Sequence, residues 1–96
     1  MPAYILAQLK FTERKTYDRY QSNFYSVFKQ FQGKVLIAQE KPEILEGEWS
    51  RDKVVLLEFP TMEEAKRFND SVEYGEIARD RRLGADGIVL LLKGLA

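Results

Sequence analysis

"VVLLEFPTMEEAKRF", Val54 to Phe68, sets apolar residues side by side, meets a proline, and then changes to a spacing of three and four. A strand with one face in water alternates apolar and polar side chains. Val54, Val55, Leu56 and Leu57 do not alternate, so both faces of this strand need cover. Pro60 has no ladder donor and stops the strand, which runs Asp52–Phe59. Thr61 and Glu64 form the T-x-x-E pattern of a capping box, in which each side chain satisfies the other residue's backbone donor. Met62, Ala65, Phe68 and Val72 then continue at helical spacing. Asn69–Ser71 breaks this helix and recaps a second piece, Val72 to Leu83.

Upstream, Ala3–Phe11 alternates imperfectly and reads as a first strand. Thr12 can cap the following helix, with Glu13 in its first turn. Tyr17, Tyr20, Phe24, Val27, Phe28 and Phe31 mark one face of that helix, and Asp18, Arg19, Ser22, Ser26 and Lys29 mark the other. Gly33 is placed to end it in a left-handed turn. Lys34–Gln39 is a second strand, followed by Pro42 and a polar connection that turns at Gly47. Downstream, Gly84 and Gly87 flank a turn before a fourth strand, Ile88–Lys93.

The order is β-α-β twice. It predicts an α+β, ferredoxin-like βαββαβ sandwich in which a four-stranded antiparallel sheet carries its helices on one face. One helical layer covers one face only. Val55, Leu57 and Phe59 then point to the helices. Val54, Leu56 and Glu58 point to the bare face, with Tyr4, Leu6 and Gln8 and alternate members of Ile88–Leu92. Such a patch demands a partner. The economical cover is the same face of a second copy, so a homodimer packed sheet against sheet is expected.

The 96 residues imply one domain, 1–96, with a marginal core unless a partner helps. Fifteen basic residues balance fifteen acidic ones, so there is no overall pull toward nucleic acid or an anionic membrane. Cysteine and histidine are both absent. Disulfides, thiolate nucleophiles, zinc–thiolate sites and histidine-ligated haem are therefore ruled out by composition, and no metal or cofactor is expected. No apolar run reaches the length of a membrane span, and the N-terminus lacks a signal-peptide pattern, so the expected location is the cytoplasm.

Nearly the whole chain resembles the family of domain of unknown function 1330, within the dimeric α/β-barrel group. The residues that carry the resemblance are Met1–Tyr4 with the first strand, Thr12–Glu13 with Tyr17 and Tyr20, "GKVLIA", "ILEGEW", "VVLLEFPTMEEAKRFNDS" and Glu73–Tyr74. The chain departs from the family at Gln32–Gly33, where a glycine pair is usual. Ala38-Gln39-Glu40 stands where an Arg-Gly-Gly run is frequent, and Val72 where a proline is usual. The resemblance implies a dimeric barrel fold without a defined activity. Its wider group includes cofactor-independent monooxygenases, haem degraders and isomerases, an analogy of fold that transfers no chemistry by itself.

Glu58 is the best catalytic candidate, because a carboxyl on a covered apolar face can carry a proton. Tyr4 would lie beside it in an antiparallel pairing. The structural alternative is a strand-end carboxylate that meets water or a partner arginine. Trp49, with Glu46 and Glu48, could form a lid, or could anchor the arm on a partner chain as tryptophans commonly do. Tyr4, Gln8, Trp49 and Glu58 together are the candidate ligand contacts of a pocket at the sheet and dimer seam. Tyr17, Tyr20 and Tyr74 could line a cleft between helix and sheet, although aromatics at helical spacing usually build core. Arg79, Arg81 and Arg82 could hold an anion or simply complement a helix dipole. "GADG" follows a helix and is no phosphate loop. Two functions fit: binding or converting a small molecule without metal or haem, or serving as a non-enzymatic homodimeric assembly module. No aromatic-basic pattern for RNA appears on the strands.

Overall fold

The computed structural model describes residues 1–95, so the last position of the expected domain, Ala96, lies outside the described residues. Strands β1 (Ala3–Phe11), β2 (Lys34–Glu40), β3 (Lys53–Phe59) and β4 (Ala85–Lys93) form one antiparallel sheet in the order β2-β3-β1-β4. Helices α1 (Arg14–Phe28), α2 (Met62–Asn69) and α3 (Val72–Gly84) make the second layer. The result is a slab of 31 × 31 × 15 Å, the α+β ferredoxin-like sandwich that the element order predicts. No helix among the described residues is long and apolar enough to cross a membrane.

Register assigns the faces, because directly opposed residues in an antiparallel pair share one. Ala3, Ile5, Leu9, Leu57 and Phe59 are buried under the helices. Phe68 of α2 is the hub of that core, with the rings of Phe24, Phe28, Phe31, Phe59 and Tyr74 centred 4.4–6.1 Å away. Burial of such side chains contributes about 1.5–3 kcal/mol each. On the other face Tyr4 lies opposite Glu58 and Leu92, Leu6 opposite Leu56 and Leu90, and Gln8 opposite Val54 and Ile88. Among the described residues no helix or strand covers this face. Ile88, Leu90 and Leu92 retain 39–43% of their exposure.

Several local expectations need correction. Thr12 does not cap α1: the N-cap is Glu13, whose side chain caps nothing. The backbone N–H groups of Thr12 and Glu13 both donate to the carbonyl of Gly84, at 3.0 and 3.1 Å, so the end of α3 anchors the two residues that lead into α1. Phe31 lies beyond α1, which ends at Phe28, yet still packs on the core. Gly33 adopts no left-handed conformation. A side chain there would strike the rings of Phe28 and Phe59 at 2.6 and 2.8 Å, so close packing is what requires glycine.

The capping box of α2 is half formed. Thr61 Oγ1 accepts from Glu64 N–H at 3.0 Å, but the Glu64 carboxylate pairs with Arg67 and accepts from the Gln32 N–H. The break at Asn69–Ser71 is real, and Ser71 caps α3 by accepting from Tyr74 N–H. No turn separates α3 from β4. Gly84 is the last helical residue, and Gly87 is already paired with Leu9 in the sheet. The reason is crowding: a Cβ on Gly84 would collide with the backbone nitrogen of Tyr17. The chain therefore passes from helix to strand while pressed against α1. In β2 the pairing slips between Val35 and Ile37, a bulge at an edge strand.

Candidate functional site

The four residues expected at the seam lie on the bare face as two separate pairs. Tyr4 donates its hydroxyl to Glu58 Oε2 at 3.2 Å. Trp49 donates its indole N–H to Gln8 Oε1 at 3.1 Å, which draws the β2–β3 arm against the sheet. Tyr4 and Gln8 are four residues apart on one strand, hence about 13 Å. Leu6, flanked by Leu56 and Leu90, separates them. Loss of hydration, helped by the Glu58 carboxylate, raises the Tyr4 phenol above its ordinary pKa. Glu58 is half-buried and borders an open groove of about 510 Å³ shared with Phe31, Lys34 and Pro60. Glu46 and Glu48 are exposed.

A more enclosed space lies on the opposite side of the sheet, between it and the helices. This cavity measures about 190 Å³. Its floor is a row of small side chains that register lines up across all four strands: Ala38, Val55, Ala7 and Val89. Its roof is the aromatic stripe of α1, Tyr17, Tyr20 and Phe24, closed at the back by Phe68 and Tyr74. Large side chains hold α1 away from the sheet while small ones beneath leave the gap unfilled, so the cavity follows from size complementarity that stops short.

Polar groups converge on it. The Tyr20 and Tyr74 hydroxyls are 2.9 Å apart and buried. Lys53, only 6% exposed, donates from Nζ to Gln21 Oε1 at 2.9 Å and sits 5.1 Å from the Tyr17 ring centroid. Arg81 reaches in from α3, and its buried Nε finds no hydrogen-bond partner. Burial pushes the Tyr17 phenol up to about 12, with the Glu40 charge adding to it and Arg14 and Arg81 opposing. Burial, then the neighbouring Tyr74, raises Tyr20 well above the ordinary phenol range. Burial lowers the Lys53 ammonium, with Glu40 opposing. Phenols held protonated are donors. Among the described residues no group of three or more acidic side chains could hold a metal ion.

Tyr17, Tyr20, Tyr74 and Arg81 stand out in the sequence as candidates for a cleft or an anion site, whereas Lys53, Ala7, Ala38 and Val89 do not. A lysine opening a strand carries no signal of burial. The small residues fall on four strands, and only register brings them into one row.

A family model, Domain of unknown function (DUF1330), matches residues 2–95. Among solved structures, a protein of unknown function from Rhodopseudomonas palustris is similar with a TM-score of 0.79 and 22% identity, over 99% of this chain and 83% of that one. A dimeric ferredoxin-like protein of unknown function from a Jannaschia species gives a TM-score of 0.73 at 8% identity, over 98% of this chain and 100% of that one. SnoaB, a cofactor-independent oxygenase from Streptomyces nogalater, gives 0.71 at 8% identity, over 99% and 94%. No curated protein matches the chain. At these identities the likeness is one of fold.

Proposed function

The chain belongs to the family of domain of unknown function 1330, and from that premise we propose that it is a homodimeric, cytoplasmic, one-domain protein that binds a small molecule between its helices and its sheet. The observation that carries the reading is the 190 Å³ cavity, walled by aromatic rings and met by hydroxyl, ammonium and guanidinium donors. An apolar hollow with a few convergent polar groups is the usual form of a ligand site. The likeness to SnoaB extends this reading to cofactor-independent conversion at the same site, on fold analogy alone. Dimerisation is proposed through the bare face, with Trp49 as an anchor and the Tyr4–Glu58 pair at the seam.

A second reading rests on that bare face itself. If assembly is the whole function, the seam is filled and the cavity is incidental. A fragment screen by thermal shift separates the two, because a ligand that binds only the folded state raises its midpoint. We expect hits whose shift is abolished by Ala7→Leu, which fills the cavity floor, and preserved in Glu58→Gln. The reverse pattern would move the site to Tyr4, Gln8, Trp49 and Glu58 at the seam. No hit at all would favour the assembly module.

A further inference from the structure

Lys53 and Arg81 approach the same end of the cavity from opposite sides. Lys53 of β3 and Gly87 of β4 are the two cross-strand neighbours of Leu9, so their Cα atoms are about 10 Å apart at two strand spacings. Gly87 makes room for the arginine. A Cβ there would stand 3.4 Å from Arg81 Nη1 and 2.9 Å from the Leu9 side chain. Neither cation joins an ion pair among the described residues. Their acidic neighbours are engaged elsewhere: Glu40 binds Arg14 through two hydrogen bonds, Asp18 also binds Arg14, and Asp80 binds Arg19.

Two cations set into a largely apolar hollow, without a carboxylate of their own, are costly unless something neutralises them. Lys53 is partly satisfied by Gln21 and the Tyr17 ring. Arg81 Nε has no partner at all. A guanidinium suits a carboxylate, which it can hold through two parallel hydrogen bonds. The rest of the wall is aromatic and takes a flat apolar body.

We propose that the cavity selects small aromatic carboxylates, with the ring under Tyr17, Tyr20 and Phe24 and the carboxylate between Lys53 and Arg81. This rests on the reading of the cavity as a ligand site and adds the ligand's charge class. The test is titration of the full chain with benzoate and with its neutral isostere benzamide, followed by amide-proton NMR. Benzoate should bind at least about tenfold more tightly, with shifts centred on Ala7, Val55 and Gly87. Arg81→Met and Lys53→Met should remove that preference while leaving benzamide binding in place. Arg81→Lys and Lys53→Arg, which keep charge and bulk, should retain part of it and serve if the methionine variants fail to fold. Equal affinity for the two probes overturns the charge selectivity and leaves the cavity reading standing. So does benzoate binding that ignores all four variants. If neither probe binds, the carboxylate inference falls, and the cavity reading is decided separately by the fragment screen and Ala7→Leu.

Discussion

Tyr17 and Tyr20 show how one residue type serves packing and chemistry at once. Their rings, 5.6 Å apart, pack in the aromatic layer, while the Tyr20 hydroxyl is held to that of Tyr74. Burial raises both phenols, Tyr17 to about 12. A raised pKa in the folded state means that the folded protein keeps its proton where the unfolded chain releases it. The associated stability is fully present below pH 10, the ordinary phenol value, and is lost as pH rises through the folded values. The melting midpoint should therefore fall between pH 10 and about 12, together with rising phenolate absorbance near 295 nm. Tyr20→Phe should flatten part of that slope. A midpoint indifferent to alkali in this window would mean that these phenols are not buried as described.

At the scale of elements, the junction between α3 and β4 is the least forgiving. Gly84 lets the end of α3 press against the start of α1 and accept from the two backbone N–H groups that precede it. Gly75, within the same helix, faces open space. The two glycines should respond oppositely to alanine. Gly84→Ala forces backbone apart and should cost about 1–3 kcal/mol, whereas Gly75→Ala should stabilise by about 0.5–1 kcal/mol through helix propensity. Urea unfolding of both variants checks the pair. Equal effects would show that Gly84 is not packed against α1. The same principle explains Gly33, where ring packing and not a turn requires the missing side chain.

For the whole molecule, the exposed apolar surface is concentrated on the sheet. The bare face carries Leu6, Leu56, Leu90 and Leu92, and β4, at the sheet edge, leaves Val89 and Leu91 exposed on its other side as well. An edge strand of this kind invites pairing unless it is covered. Leu56→Glu sets a charge at the centre of the proposed seam and should weaken the dimer by about a hundredfold or more, because an unpaired buried charge is costly. Sedimentation at micromolar concentration should give a dimer for the native chain and a monomer for the variant. A native monomer would refute the sheet-to-sheet interface.

The order of elements, the two-sided character of β3 and β4, and the caps at Thr61 and Ser71 were legible in the sequence. They rest on periodicity and on hydrogen bonds between residues three apart, which are local. The pairing of Tyr4 with Glu58 was legible too, once the strands were taken as antiparallel. The anchoring of the entry to α1 was not, because its partner, Gly84, lies some 70 residues away and accepts from the backbone N–H groups of Thr12 and Glu13 themselves. The cavity was beyond the sequence for the same reason. Ala7, Ala38, Val55 and Val89 are unremarkable where they stand in the chain, and only the register of four strands sets them in one row beneath an aromatic helix. Tertiary structure alone decided that Trp49 of the β2–β3 connection pairs with Gln8, away from Glu58. It alone turned Lys53 and Arg81 toward one hollow, because sidedness in a sheet depends on neighbours distant in sequence.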